Sequence, residues 1–237
     1  MAAYQVTLNS PTGGNFGAYL ATPEAPNGCG VVVLQEIFGI NANLRATADH
    51  WASQGYFAIV PDLFWRQQPG VELDPASEAD RARATELMQG LDQPLAVKDA
   101  LLAADYLRKL PEVTGDIAAI GYCLGGKLAY LLSMQAGIDA AISYYGVAIQ
   151  SALGDMPDVK AALLLHLAEQ DHLCPPEAQA AIEQAAAGNA DRVSVLRHPG
   201  VGHAFARIGG ATFNPDAAGR ANAATLALLD RKLGTVA

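Results

Sequence analysis

The sequence predicts an α/β fold built on a mostly parallel central sheet of about eight strands, with helices on both faces. Three observations carry the prediction. Short apolar runs alternate with helical patterns along the chain, those runs show little in–out alternation, and no stretch has the composition of an interdomain linker. Continuously apolar strands are what parallel strands require, because helices cover both faces of their sheet. A length of 237 residues suits one large α/β domain or two small ones, and without a linker the expectation is one domain over 1–237.

The first two strands are expected at 4–8 and 17–21, joined as a hairpin by Ser10-Pro11-Thr12-Gly13-Gly14. Further strands follow at 30–35, 57–61, 117–121, 140–145, 161–167 and 194–197. Helical patterns occupy the intervals at 42–54, 76–89, 93–110, 125–135, 176–187 and 216–233. The Pro-rich stretch 61–75, with Trp65, Arg66 and paired glutamines, reads as a loop over the sheet. No internal repeat is visible.

Composition narrows the function classes. Hydrophobic residues make up 51% of the chain and charged ones 16%, which suits a large packed core and not a disordered chain. The longest apolar run, 161–165, is far short of the ~20 residues that span a bilayer. The N-terminus, MAAYQVTLNS, lacks the basic and apolar regions of a signal peptide, so a soluble cytoplasmic protein is expected. A net charge of −9 argues against nucleic acid or an anionic membrane as partner, yet leaves room for a small anion held by local arginines. Three cysteines, Cys29, Cys123 and Cys174, are odd in number and have no metal-like spacing, as expected of free thiols in a reducing compartment.

An open parallel sheet binds its ligand at the carboxyl ends of its strands. Glu36, Asp62, Cys123, Tyr145, the segment up to Asp171 and the loop of His203 lie there. Gly121-x-Cys123-x-Gly125 follows a strand and opens a helix, the context of the G-x-S-x-G nucleophile turn of α/β-hydrolases, here with cysteine at its centre. The helix N-terminus favours a thiolate. A glycine-rich turn around a buried thiol is the alternative. Asp171 and His203 follow in the order nucleophile, acid, histidine, so that an oriented imidazole can take the thiol proton and later activate water. Oxyanion donors are expected from the backbone N–H of Leu124 and of Ile37. Glu36 ends an apolar run as a carboxylate at the crevice, where it would oppose a thiolate or act as a base; a solvated loop acid is the alternative.

At this point the sequence closely resembles the dienelactone hydrolase (carboxymethylenebutenolidase) family, cysteine members of the α/β-hydrolase fold. The matching stretches are QEIFGINA at 35–42, PDLFWRQQPG at 61–70, GYCLGG at 121–126, YYGV at 144–147, EQDH at 169–172 and GHAFAR at 202–207. The resemblance implies a triad of Cys123, His203 and Asp171, with Glu36 deprotonating Cys123 once substrate is bound. It implies that Arg81 and Arg207 hold a substrate carboxylate, and that Phe38, Tyr145, Thr85 and Met88 line the substrate pocket. The implied reaction opens an anionic enol-lactone without metal or organic cofactor, in a monomer. Positions 81, 85 and 88 share a helix face, and known members carry tyrosine and tryptophan where this chain has Thr85 and Met88. Ala204 likewise stands where the family often has serine, so a wider, less aromatic pocket is expected.

Other features carry less. On sequence alone Arg81, in EADRARATE, reads as a solvated helix face, whereas Arg207, four residues beyond His203, can face the same crevice. The five histidines include no HxH or HxxxH pair, so no metal site is expected. Cys174 reads as a small packed hydrophobe, Cys29 as structural and Asp62 as a turn cap. A general esterase or thioesterase, and a non-catalytic ligand-binding or redox-sensing protein, are the competing functions.

Overall fold

The computed structural model describes residues 1–234; residues 235–237 of the expected domain lie outside the described residues. Eight strands form one sheet: β1 (Ala2–Asn9), β2 (Asn15–Thr22), β3 (Gly30–Leu34), β4 (Phe57–Pro61), β5 (Ile117–Tyr122), β6 (Ala140–Tyr144), β7 (Ala162–Ala168) and β8 (Val193–His198). Their order is β1-β2-β4-β3-β5-β6-β7-β8. β1 and β2 pair antiparallel, as do β2 and β4, and every other pair is parallel. The chain runs from β3 to β4 on one side and then crosses to β5 on the other, so the ends of β3 and β5 form the switch point where such sheets bind ligands.

Six α-helices cover the sheet: α1 (Ala42–Ser53), α2 (Glu78–Gln89), α3 (Gln93–Arg108), α4 (Leu124–Leu132), α5 (Pro176–Ala187) and α6 (Pro215–Lys232). Within β3 the side chains divide by parity. Val31 and Val33 join Leu44, Trp51, Ala221 and Leu229 of α1 and α6, while Val32 and Leu34 join Ala100, Leu107, Leu128 and Ile182 of α3, α4 and α5. The period of two is therefore present, but both faces are covered, which is why the sequence shows no polar alternation.

Element ends differ from the sequence expectation where side chains cap the chain. Ser77 accepts from the Asp80 N–H, so α2 begins at Glu78 and not at position 76. The hairpin turn is tied by Ser10 N–H to Gly14 O at 3.0 Å, which lets β1 and β2 extend beyond the expected limits. A 3-10 segment, Ile149–Asp158, was not legible in the sequence. The 61–75 stretch packs on the sheet as expected: Trp65 stacks on Phe16 with ring centroids 5.3 Å apart. Its indole N–H donates to Asp99, which also pairs with Arg66. Asp62 caps the turn, accepting from Phe64 N–H at 3.0 Å and Gly70 N–H at 2.8 Å.

Two buried features tie the fold to its strand ends. Gly125 N–H donates to Gln35 O at 2.9 Å, and a Cβ at position 125 would overlap the Leu34 carbonyl. The start of α4 therefore rests directly on the end of β3. Behind the sheet end, His198 and His166 share a 3.0 Å hydrogen bond, and the chain continues through Thr225 to Tyr144 and Asn222. Burial, helped by the nearby His198, lowers the His166 pKa to about 3.

Gly125→Ala is expected to cost more than about 3 kcal/mol, read as a fall in Tm, because neither backbone can yield without moving the sheet end. Protonation of His166 sets a second expectation. The unfolded chain binds this proton from about pH 6.5 downward, whereas the folded chain resists until about 3. Stability contributed above pH 6.5 is thus lost as pH falls through that window, on the order of a few kcal/mol. Urea unfolding at a series of pH values should show the slope, and His166→Gln should flatten it.

Candidate active site

Cys123 sits between β5 and α4 with φ 55° and ψ −113°, a conformation costly for a residue bearing a side chain. The strain is held by backbone bonds on both sides. Cys123 N–H donates to Tyr144 O at 3.0 Å, and Cys123 O accepts from Val147 N–H and Lys127 N–H, each at 3.2 Å. Gly121 is as constrained as Gly125, because a Cβ there would overlap the Gly125 carbonyl. This is the sharp strand-to-helix turn that the glycine spacing predicts, and it places Cys123 at the N-terminus of α4. Leu124 and Ile37 present backbone N–H groups with no protein acceptor among the described residues, as an oxyanion pair requires.

His203 Nδ1 and Asp171 Oδ2 are 2.8 Å apart and nearly buried. Asp171 is itself fixed by the Leu173 N–H at 2.9 Å. The other ring nitrogen, Nε2, is buried without a hydrogen-bond partner. Burial opposes the imidazolium, but Asp171 and the neighbouring Cys123 outweigh it and raise the His203 pKa to about 10. The Cys123 thiol therefore stands close enough to the ring to act on its charge. Tyr145, at φ 40°, packs edge-on against His203 at 5.1 Å and shares the pocket wall with Phe38.

Glu36 is buried, so the solvated-acid alternative fails. Its Oε2 accepts from Arg207 Nε at 2.6 Å, and its Oε1 has no partner. Burial works against the Arg207 charge, but the Glu36 carboxylate more than compensates and holds the guanidinium protonated. That guanidinium lies over the Phe38 ring at 5.2 Å. Glu36, Arg207, Phe38, Tyr122 and Tyr145 together line a pocket of only about 10 Å³, room for a single water.

Outside that pocket lies a cleft of about 600 Å³ whose wall includes both Arg207 and Arg81. Arg81 is exposed, with Nη1 donating to the carbonyls of Pro75 at 2.9 Å and Ala76 at 3.1 Å. The structure thus brings the two arginines to one cleft, although Arg81 lies in α2 and Arg207 in the segment between β8 and α6. It does not bring Thr85 and Met88 there. The Thr85 hydroxyl donates to Arg81 O at 2.9 Å, and Met88 turns back to pack on the core beneath α2. The cleft wall takes Arg81 from the N-terminal end of α2 and no residue from its later turns, whereas residues 207–212 complete the wall.

Sequence reasoning missed several participants. Asn41 and Asn43 line the pocket, and Asn43 ties α1 to the segment after the histidine through Ile208 O at 2.7 Å. Tyr122 forms the pocket floor, where its place inside an apolar strand gives no sequence signal. Residues 71–73 brace the glutamate loop: Ile40 N–H donates to Val71 O and Leu73 N–H to Phe38 O, each at 3.0 Å. A glycine is required at 39, where a Cβ would strike the Val71 carbonyl at φ +71°. That glycine was the one available signal.

The arrangement is equipped for nucleophilic acyl transfer: a sulfur at a helix N-terminus, an oriented imidazole, two free N–H donors and an arginine-lined approach. Among the described residues no helix is long and apolar enough to cross a membrane. The dienelactone hydrolase family model matches residues 16–233. Carboxymethylenebutenolidase 1 of Cupriavidus pinatubonensis (strain JMP 134 / LMG 1197) is 37% identical, covering 94% of this chain and 95% of its own. The carboxymethylenebutenolidase of Pseudomonas putida is also 37% identical, over 92% of each chain. A candidate dienelactone hydrolase from Klebsiella pneumoniae superposes with a TM-score of 0.83 at 24% identity, covering 98% of this chain and 100% of its own, a likeness of fold. With sequence, fold and catalytic geometry in agreement, the chain belongs to the dienelactone hydrolase family and is a carboxylic ester hydrolase.

Proposed function

We propose that this protein, acting as one α/β-hydrolase domain, opens the enol-lactone 4-carboxymethylenebut-2-en-4-olide (dienelactone) to maleylacetate through a thioacyl-enzyme on Cys123. The relatives named carboxymethylenebutenolidase support the substrate. The observation that supports the mechanism is the Glu36–Arg207 ion pair in the wall of the narrow pocket, with Cys123 close enough to act on the Arg207 charge. With about 10 Å³ free, the pocket admits no lactone until that pair separates. A substrate carboxylate competes for Arg207 and is steadied by Arg81 in the cleft outside. Released from its partner, Glu36 takes the Cys123 proton, so the nucleophile forms only when substrate is in place.

The thiolate then attacks the lactone carbonyl, and the oxyanion falls between the N–H groups of Ile37 and Leu124. A single such donor is worth roughly 3 kcal/mol of barrier. The ring C–O bond breaks and the leaving group departs as a stabilised enolate, which needs little help from an acid. The imidazolium of His203, oriented by Asp171, gives its proton to the departing enolate; the neutral ring then takes a proton from the water that cleaves the thioester, and Glu36 returns its proton to Cys123. An enol ester thus explains why a thiol suffices at a position usually held by serine.

Steady-state kcat/KM for dienelactone and for a neutral p-nitrophenyl ester, with Cys123→Ala as blank, tests the reading. A preference for the lactone by at least about 10²-fold is expected, and residual turnover by Cys123→Ala would sink the mechanism. Arg207→Leu and Arg81→Leu should each lower lactone kcat/KM at least tenfold. Arg81→Leu should leave the neutral ester almost unchanged, since that ester offers no carboxylate to lose. Asp171→Asn is expected to lower kcat by about 10³. It should also bring the His203 pKa down from about 10 in an NMR titration, so that the imidazolium is lost at lower pH.

A further inference from the structure

Lys127 lies in the first turn of α4, just beyond the nucleophile turn, and is only 5% exposed. Burial works against its ammonium and lowers its pKa, with Asp155 recovering part of the cost. Among the described residues no carboxylate lies within salt-bridge distance of it. The positive end of the helix dipole adds a further penalty at that place. Stability therefore does not explain a lysine here, because an apolar side chain of similar length would avoid both costs.

Its contacts explain it. The Nζ donates to Ala148 O at 2.6 Å and to Ser151 Oγ at 3.4 Å. The Lys127 N–H and the Val147 N–H both donate to Cys123 O, each at 3.2 Å. These bonds close a circuit: from the Cys123 carbonyl to Val147, on to Ala148 O, across to the ammonium, and back along Lys127 to the Cys123 carbonyl. Three residues on or beside this circuit hold positive φ without being glycine: Cys123 at 55°, Tyr145 at 40° and Ala148 at 54°. Such conformations persist only where surrounding contacts over-determine them. The two backbones also touch, since a Cβ on Gly126 would come within 2.7 Å of Gly146 Cα. Ser151 donates to Ala148 O as well, from Oγ at 2.7 Å and from N–H at 3.2 Å, but those bonds stay within one segment. Among the described residues only the Lys127 ammonium ties the Ala148 carbonyl to α4.

We propose that Lys127 is a positioning residue, which aims the Leu124 N–H at the oxyanion by fixing the carbonyl of Cys123. The Cys123 C=O and the Leu124 N–H belong to one planar peptide, so holding the oxygen on one side sets the donor on the other. The ammonium fixes Ala148, and Ala148 fixes the neighbouring Val147 N–H that grips the Cys123 oxygen. Lys127 itself touches no substrate. The inference rests on Cys123 as the nucleophile of the proposed mechanism.

Lys127→Met tests the role, because it keeps much of the side chain and removes the charge. Ala148 O retains both Ser151 donors, so no polar group is orphaned and Tm should stay level or rise. With dienelactone, kcat and kcat/KM should both fall at least about tenfold with KM within about twofold, as for an interaction made only in the transition state. Trifluorolevulinate gives a readout free of turnover. It offers Arg207 a carboxylate and Cys123 a ketone: the S–H and carbonyl π bonds break, a C–S bond forms and nothing leaves. The thiol proton passes to Glu36, and the oxyanion meets the Ile37 and Leu124 N–H groups. Fluorine NMR should show its affinity at least about tenfold weaker in Lys127→Met. Tyr130→Phe is the control, since its hydroxyl ties α4 to Ala152 O at 2.8 Å outside the circuit and its loss should leave kcat within about twofold.

A fall in Tm that accompanies the fall in kcat, misfolding included, or equal kcat losses in the two variants would make Lys127 a packing residue and overturn the proposal. Unchanged kcat and affinity in Lys127→Met overturn it as well. If the wild type binds trifluorolevulinate but turns over no dienelactone, the lactone reading falls alone, because the affinity ratio still scores Lys127. If the wild type forms no adduct, the nucleophile and its positioning residue fall together.

Discussion

The close approach of α4 to the end of β3 at Gly125 is the constraint on which the site depends. One backbone hydrogen bond, Gly125 N–H to Gln35 O, fastens the nucleophile turn to the strand that carries Glu36 and Ile37. In the proposed mechanism both oxyanion donors are thereby set against Cys123 by main-chain geometry, and the strand end from which the Glu36 side chain projects is held beside them. The strain at Cys123 is tolerated because its carbonyl and N–H are tied to α4, β6 and the following loop. A looser turn would relieve the strain and lose the register between sulfur and oxyanion donors, which catalysis by preorganised dipoles cannot spare.

Against that rigid frame the Glu36–Arg207 pair is the movable part. A buried ion pair contributes little net stability, since desolvation of both partners offsets most of their attraction. Its place in the pocket is better explained by exchange. In the proposed mechanism an incoming carboxylate offers Arg207 an equivalent partner, so the arginine stays paired throughout and only Glu36 is freed. Glu36 Oε1, buried without a partner, keeps the carboxylate incompletely satisfied even in the closed state. That shortfall reduces the cost of opening the pocket.

Much of this was legible in the sequence, for physical reasons that differ by residue. The fold could be read because both-face burial writes continuous apolar runs into parallel strands, and only capping moved their ends, as at Ser77. The Cys123 turn was legible because backbone contact leaves glycine no substitute at 121 and 125. Asp171 and His203 were legible through chain order, which topology dictates. Arg81 was not readable from its own helix, where it resembles any solvated arginine, and only the family resemblance singled it out. Thr85 and Met88 lie outside the cleft wall: helical periodicity places side chains on a face, but says nothing of how far along that face a cleft extends. Tyr122 and the His166–His198 pair lie in apolar contexts whose pattern records burial and not the partner.

The charge distribution joins recognition to reactivity. A chain with a net charge of −9 repels an anionic substrate at long range, but at physiological salt that repulsion is screened beyond about 8 Å. Within that distance the substrate meets Arg45, Arg81 and Arg207 along one cleft, with Glu72 already engaged by Arg45 at 2.8 Å. Arg207 is therefore the buried cation whose partner an incoming carboxylate can displace. In the proposed mechanism selection of the anion and release of the base are one event, because the group that would recognise the substrate is the group that pairs with Glu36. A substrate without a carboxylate lacks that lever.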